Sequence, residues 1–379
     1  VDIAEKDEML FLLEKLVNID SGSYHKDGVD RVGRLLMKAF NEIGFKVAVF
    51  KQERYGDHLL FTHAHAFAPK ILLLAHLDTV FSPGTAVDRP FQLIGNRAYG
   101  PGVVDMKGSL VTSLFAVKAL VDAQSPAGKN VAILMTSDEE IGAPTGRALI
   151  EQQGLDKKAV LVMEPARQDG SLVTSRRGGG RYTLKITGKA AHSGVEPEKG
   201  RSAIKELAHK VIELHCLSNI RQGISVNVGI IEGGTAVNTV ADFAEAKVDV
   251  RISKQEQAEP LDRKIRRICA TPAVRGTAIQ LDGGITRPPM ERNSQTVSLF
   301  QLIQTVANTI GLKLTDTTTG GSSDASFTSA LGIPTMDGLG PVGGYPHSDK
   351  EYLEVDTLQE RALLLAKVIE RLSEERSST

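Results

Sequence analysis

Three short apolar runs in this chain each end in residues that can carry charge or bind a metal. Ile71 to Ala75 leads into His76-Leu77-Asp78, Val131 to Met135 into Asp138-Glu139-Glu140, and Val160 to Met163 into Glu164. Runs this short and mostly non-alternating, with Lys46 to Phe50 as a fourth, are expected of strands buried on both faces of a sheet. In open α/β sheets, sites form at the carboxyl ends of strands, so these polar residues are expected to meet in one crevice. Asp105 joins them through Gly100-Pro101-Gly102, a turn that sets it just before a helix read from Met106 to Ala123.

Several carboxylates in one crevice repel each other and are costly to bury unless they protonate or a cation neutralises them. A metal is the simpler resolution. Imidazole and carboxylate donors without thiolate suit zinc in an open, catalytic type of site, with cobalt or manganese as substitutes. Asp78, two residues after His76, is placed to accept the hydrogen bond of the ring nitrogen that does not face the metal. Glu139 and Glu140 are adjacent and point different ways from an extended segment, so one can bind metal while the other faces substrate as general base.

The rest of the chain reads as two domains of α/β type, one inserted in the other. Residues 8 to 18 and 29 to 43 carry apolar positions at helical spacing. At Gly178-Gly179-Gly180, read as a hinge, the pattern changes to strand (Tyr182 to Thr187), helix (Ser202 to Cys216), strand (Ser225 to Ile231), strand (Ala244 to Ile252), helix (Gln255 to Cys269) and strand (Thr277 to Leu281). That order is the βαββαβ of a ferredoxin-like unit. After Pro288-Pro289, segments at Val297 to Ile310, Ile333 to Met336 and Thr357 to Leu372 complete the first domain, so residues 1–177 and 289–379 frame an insertion at 178–288. The tail beyond Leu372 is expected to fray.

Charge argues against some partners. Lys and Arg total 45 against 46 Asp and Glu, so no basic field awaits nucleic acid or an anionic membrane. No apolar stretch reaches the length of a membrane span. Two cysteines, Cys216 and Cys269, are too few for a disulfide framework and are expected to be free, buried thiols. A cytoplasmic protein is the expectation, with a periplasmic one left open because the chain starts with Val1 rather than Met.

Taken together, His76-x-Asp78, Gly102-x-x-Asp105-x-Lys107-Gly108, Asp138-Glu139-Glu140-x-Gly142, Glu164-Pro165 and His347-Ser348 resemble the M20 family of metallopeptidases, and within it the glutamate carboxypeptidase group. The resemblance covers nearly the whole chain, with five motifs in order. It implies a zinc-exopeptidase-type mixed sheet flanked by helices, and two zinc ions bridged by Asp105. His76 and Glu164 would complete one site, and Glu140 and His347 the other, with Glu139 as the catalytic carboxylate. It further implies that the inserted domain forms a homodimer and sends His192, in Lys189-Ala190-Ala191-His192-Ser193-Gly194, to the partner's active site. Asn238, Arg251, Arg287 and the Gly320-Gly321-Ser322-Ser323-Asp324 turn would receive a substrate carboxylate, for which an Arg fork is suited.

The implied activity is hydrolysis of an amide bond in a small peptide or N-acyl substrate, releasing a C-terminal amino acid such as glutamate. An N-acyl amino acid deacylase shares the same metal site, and a metal-binding scaffold without catalysis is the alternative of another class. An aminopeptidase would need an acidic group for the substrate amine, and none stands out. Blander roles compete residue by residue: Asp105 as a helix cap, His347 as a loop histidine, Arg251 as a partner of Asp249, and Asn238 as a turn former.

Overall fold

A computed structural model describes Ile3 and residues 5–374; of the tail expected to fray beyond Leu372, Ser373 and Glu374 are still helical and the rest lies outside the described residues. Contacts divide the chain into two compact units, one built from residues up to 175 with 292–319 and 323 onward, the other from 176–291 with 320–322.

The larger unit is organised by a mixed six-stranded sheet. Its strands run Phe45–Phe50, His58–His63, Val131–Thr136, Ile71–His76, Ala159–Val162 and Thr335–Met336 in spatial order. The last four are parallel, and the first two are antiparallel additions at one edge. Ile71–His76 and Val131–Thr136 are buried at every position, which is why they read as unbroken apolar runs. Phe45–Phe50 departs from that expectation: it is the edge strand, and three of its six side chains are exposed. His58–His63, whose sequence His-Leu-Leu-Phe-Thr-His is only half apolar, carried no such signal.

Helices cover the sheet according to their apolar faces. In Lys26–Glu42, Val29, Val32, Leu36 and Phe40 recur every three or four residues, and all are buried. Phe40 stacks on Phe61 with centroids 4.3 Å apart and meets Phe45 edge-on, which ties that helix to the antiparallel edge. Each such fully buried side chain contributes about 1.5–3 kcal/mol of hydrophobic stabilisation. Gly108–Asp122 is buried nearly all round, lying against Asp356–Glu374 as well as the sheet. A second, small sheet in this unit joins Gly343–Gly344, Tyr352–Glu354, Arg97–Tyr99 and Gln92–Ile94.

The smaller unit holds an antiparallel sheet in the spatial order Ser225–Gly233, Phe243–Ile252, Gly178–Thr187, Ala278–Arg287, with helices Ala203–His215 and Ala258–Ala270 packed on it. The glycine run expected to act as a hinge is instead the start of its central strand. A Cβ on Gly180 would lie 1.9 Å from the Gly284 carbonyl oxygen and one on Gly179 2.1 Å from that of Val250, so the strands approach too closely for a side chain. Both cysteines are free, but only Cys269 is buried; Cys216 caps the end of its helix and is exposed.

Candidate metal centre

The sheet register delivers the first group of polar side chains. His76 ends the central parallel strand and pairs with Thr136, so the residues after Thr136 emerge beside it. Val162 pairs with Leu74 on the other side, and two residues later Glu164 reaches the same end of the sheet. His76, Asp78, Asp138 and Glu164 are all buried.

The ring of His76 is fixed from behind. Its Nδ1 donates to the main-chain carbonyl of Asp78 at 2.9 Å, with Asp78 Oδ1 at 3.4 Å. The nearer partner is thus the carbonyl rather than the expected carboxylate. That carboxylate accepts the Ser23 hydroxyl at 2.6 Å and the main-chain amides of Glu139 and Glu140 at 3.2 Å each. Asp138 faces elsewhere: its Oδ2 accepts the Thr145 amide and hydroxyl and the Gly146 amide, at the start of helix Gly146–Gly154.

Asp105 arrives by a different route. It lies in an irregular helical turn, Val103–Lys107, entered through Gly102 in the left-handed region (φ 71°), and the Asp105–Met106 peptide bond is cis. The regular helix begins only at Gly108, and Asp105 does not cap it. Glu351, buried and absent from the residues singled out by sequence, accepts the main-chain amides of Gly102, Val104 and Asp105 at 3.1, 2.9 and 3.1 Å. His347, itself at positive φ (64°), sits in the loop between Gly343–Gly344 and Tyr352–Glu354.

These elements bring the five side chains into two triangles that share Asp105. His76 Nε2 lies 3.3 Å from Asp105 Oδ1 and 3.7 Å from Glu164 Oε1. His347 Nε2 lies 3.2 Å from Asp105 Oδ2 and 3.2 Å from Glu140 Oε2. In each triangle one atom per residue falls within 4.8 Å of the others, the spacing of ligands around a cation. The side chain of Asp105 is 11% exposed and that of Glu140 6%.

The donor chemistry fits divalent cations. Nε2 of His76, Oδ1 of Asp105 and Oε1 of Glu140 are buried without a hydrogen-bond partner, a costly state that a metal relieves. Protons hold the group together otherwise. Burial disfavours a charged His76, but the neighbouring Asp105, Asp78 and Glu164 carboxylates outweigh it and hold the ring well above its ordinary value. His347 is raised to about 11 by Asp105 and Glu140. Burial alone would raise Asp105, yet the two rings hold it well below the usual carboxylate range. Burial, reinforced by the Asp105 charge, outweighs His347 at Glu140 and raises it to about 7. These His/Asp/Glu groups, largely buried except for His347, are of the kind that hold a dinuclear metal centre.

The remaining singled-out residues fall in the smaller unit. His192 bridges to Thr239, and the Ser193 amide donates to the Asn238 carbonyl at 2.9 Å, so the His192 and Asn238 segments run side by side at the surface. Arg251 and Arg287 flank Gly179 in register, one on each neighbouring strand. Arg251 makes the fork with Asp249 (2.9 and 3.1 Å) that its bland reading foresaw, and its Nη1 is 3.4 Å from Ser322 Oγ. Gly321 offers its carbonyl to Arg176, a buried arginine that no motif had marked.

A mixed sheet ending in paired His/Asp/Glu groups, together with a separate antiparallel unit, defines a metallo-hydrolase of the peptidase and deacylase type. The chain belongs to peptidase family M20/M25/M40, which residues 72–371 match. Carboxypeptidase G2 of Pseudomonas sp. (strain RS-16) is 26% identical over 96% of this chain and 89% of its own length. Succinyl-diaminopimelate desuccinylase of Dechloromonas aromatica (strain RCB) is 27% identical, covering 89% of this chain and 92% of its own. The same fold recurs in aminopeptidase PepT of Bacillus cereus, with a TM-score of 0.81 at 24% identity over 98% of this chain and 99% of that one.

Proposed function

We propose that this protein is a di-zinc hydrolase that cleaves an amide bond to release a C-terminal amino acid, with glutamate the first to test, from a peptidyl or N-acyl substrate. The observation that carries the reading is Asp105, whose two carboxylate oxygens face His76 and His347 in separate triangles. One ion would be held by His76, Asp105 and Glu164, the other by Asp105, Glu140 and His347. Cations bound there would polarise the scissile carbonyl and make water acidic enough to ionise near neutral pH.

The protein's own groups do the rest. The Glu139 carboxylate takes the proton of the attacking water and passes it to the leaving nitrogen, turning an amide into a carboxylate and an amine. Its main-chain amide donates to Asp78, as does that of Glu140, so one carboxylate anchors the turn that carries both glutamates. Arg251, Arg287, Asn238 and the Gly321 turn receive the substrate carboxylate, and Arg251 enters already aligned by Asp249.

A homodimer formed through the smaller unit is part of the proposal. Its edge strand Ser225–Gly233 exposes Ile230 and Ile231, and the adjoining helix exposes Ile204 and Ile212. An unpaired edge with an apolar flank is suited to sheet extension by a second copy. His192 would then stabilise the oxyanion in the partner's active site. The two relatives named above from sequence are a carboxypeptidase and a desuccinylase, so an N-acyl amino acid deacylase is the second reading. Hydrolysis of N-acyl glutamates and of a panel varying acyl group and C-terminal residue separately decides between them. Activity that survives both chelation and Glu139→Ala would sink the two-metal mechanism.

A further inference from the structure

We infer that Glu351 is a positioning residue for the metal centre, setting Asp105 against His347 by holding the turn that carries the first to the loop that carries the second. This rests on the two-ion reading above and adds a residue to it. Glu351 is 1% exposed and accepts three main-chain amides, those of Gly102, Val104 and Asp105 itself. Those amides belong to a turn whose interior backbone is non-helical, so regular hydrogen bonding does not fix its shape. From the other side, the Nζ of buried Lys107 donates to the carbonyls of Pro101, at 3.2 Å, and Ile19, at 2.8 Å. The turn is thus gripped by an acceptor at its amides and a donor at its carbonyl.

The sequence position of Glu351 gives that grip its consequence. It lies four residues after His347, in the loop that returns to strand Tyr352–Glu354, which itself pairs with Arg97–Tyr99 at the start of the Asp105 segment. Moving the Glu351 carboxylate therefore shifts Asp105 and His347 relative to each other. Asp105–His76 contact depends on the central sheet as well, so the triangle of Asp105, Glu140 and His347 is the one that Glu351 governs. Groups that orient metal ligands typically change affinity about 10- to 100-fold when replaced.

The test is a Co2+ titration of the metal-stripped full chain, followed by visible absorption and calorimetry. Wild-type protein is expected to take up two ions. In Glu351→Gln, which keeps the shape but replaces one acceptor oxygen with a donor, the second ion should bind about 10- to 100-fold more weakly with an altered spectrum, while the first keeps its affinity. Glu354→Gln, which neutralises the carboxylate paired with Arg97 on the neighbouring strand, should leave both ions unchanged. A folded Glu351→Gln protein that fills both sites with wild-type affinity overturns the inference. Should that variant not fold, Glu351→Asp decides: its shorter carboxylate cannot reach all three amides, and wild-type affinity for the second ion would again overturn it. Wild-type protein that binds only one ion would refute the two-ion reading itself, separately from the role of Glu351.

Discussion

The main-chain amide of Glu140 donates to the Asp78 carboxylate at 3.2 Å, as does that of Glu139, so Asp78 anchors the turn that presents both glutamates. Asp78 thereby acts on two parts of the site, since its carbonyl also fixes the His76 ring. Asp78→Asn retains the carbonyl contact but offers the two amides only one acceptor oxygen. The expected result is a fall in kcat of about 10- to 100-fold with a smaller change in KM, and weaker metal binding, in a protein that melts near the wild type. Steady-state kinetics beside a Zn2+ titration checks it; kcat and metal affinity equal to wild type would remove Asp78 from this role.

Part of this site could be read from residue order, and the reason is local. An unbroken apolar run that gives way to His, Asp or Glu reports both a buried strand and its polar end, which is how His76, Glu164 and the Asp138-Glu139-Glu140 cluster were legible, whereas only the family resemblance separated Glu140 from Glu139. Glu351 carried no comparable signal, because its partners are main-chain amides 246 to 249 positions away and backbone atoms leave no trace in residue type. The small sheet that holds His347 has strands of two or three residues, too short for any periodicity. At Gly178 to Gly180 glycine was read as freedom, whereas the strand uses it for close approach to Gly284 and Val250. For Asp78 the residue was found but not its contacts, since spacing alone does not separate a carboxylate from the carbonyl of the same residue.

Metal uptake should depend steeply on pH. Without a cation, His76 is held well above its ordinary value and His347 at about 11, so both rings carry protons at neutral pH. A bound cation needs their lone pairs, and those protons must leave. Apparent affinity therefore rises with pH and falls with acidification. Calorimetry in buffers of differing ionisation enthalpy should show net proton release on Zn2+ binding; binding with no proton release near pH 7 would contradict the His76 and His347 ligand roles.

A second pH effect lies away from the metal centre. Burial pushes Asp57 up, but Lys51, the Gln52 amide and Lys26 outweigh it and hold the carboxylate at about 2. A carboxylate depressed in the folded state contributes stability that is present above its unfolded value near 4 and lost as pH falls through the folded value. The shift corresponds to about 2 kcal/mol. Asp57→Asn should lose about that much in urea unfolding near neutral pH, with the gap to wild type narrowing as pH drops below about 4. A gap independent of pH would assign the loss to packing instead.

The proposed dimer can be tested through catalysis rather than size. If His192 serves the active site of the partner while Glu139 serves its own, Glu139→Ala and His192→Ala proteins are each inactive, by about 100-fold or more, for different reasons. Mixing them after subunit exchange creates heterodimers in which one of the two active sites has an intact Glu139 and receives an intact His192. Some activity should return, and it should scale with the fraction of heterodimer. If both residues served the same subunit, every site in the mixture would lack one of them, and nothing would return. Absence of recovery despite demonstrated exchange would therefore place His192 at its own active site or outside the reaction.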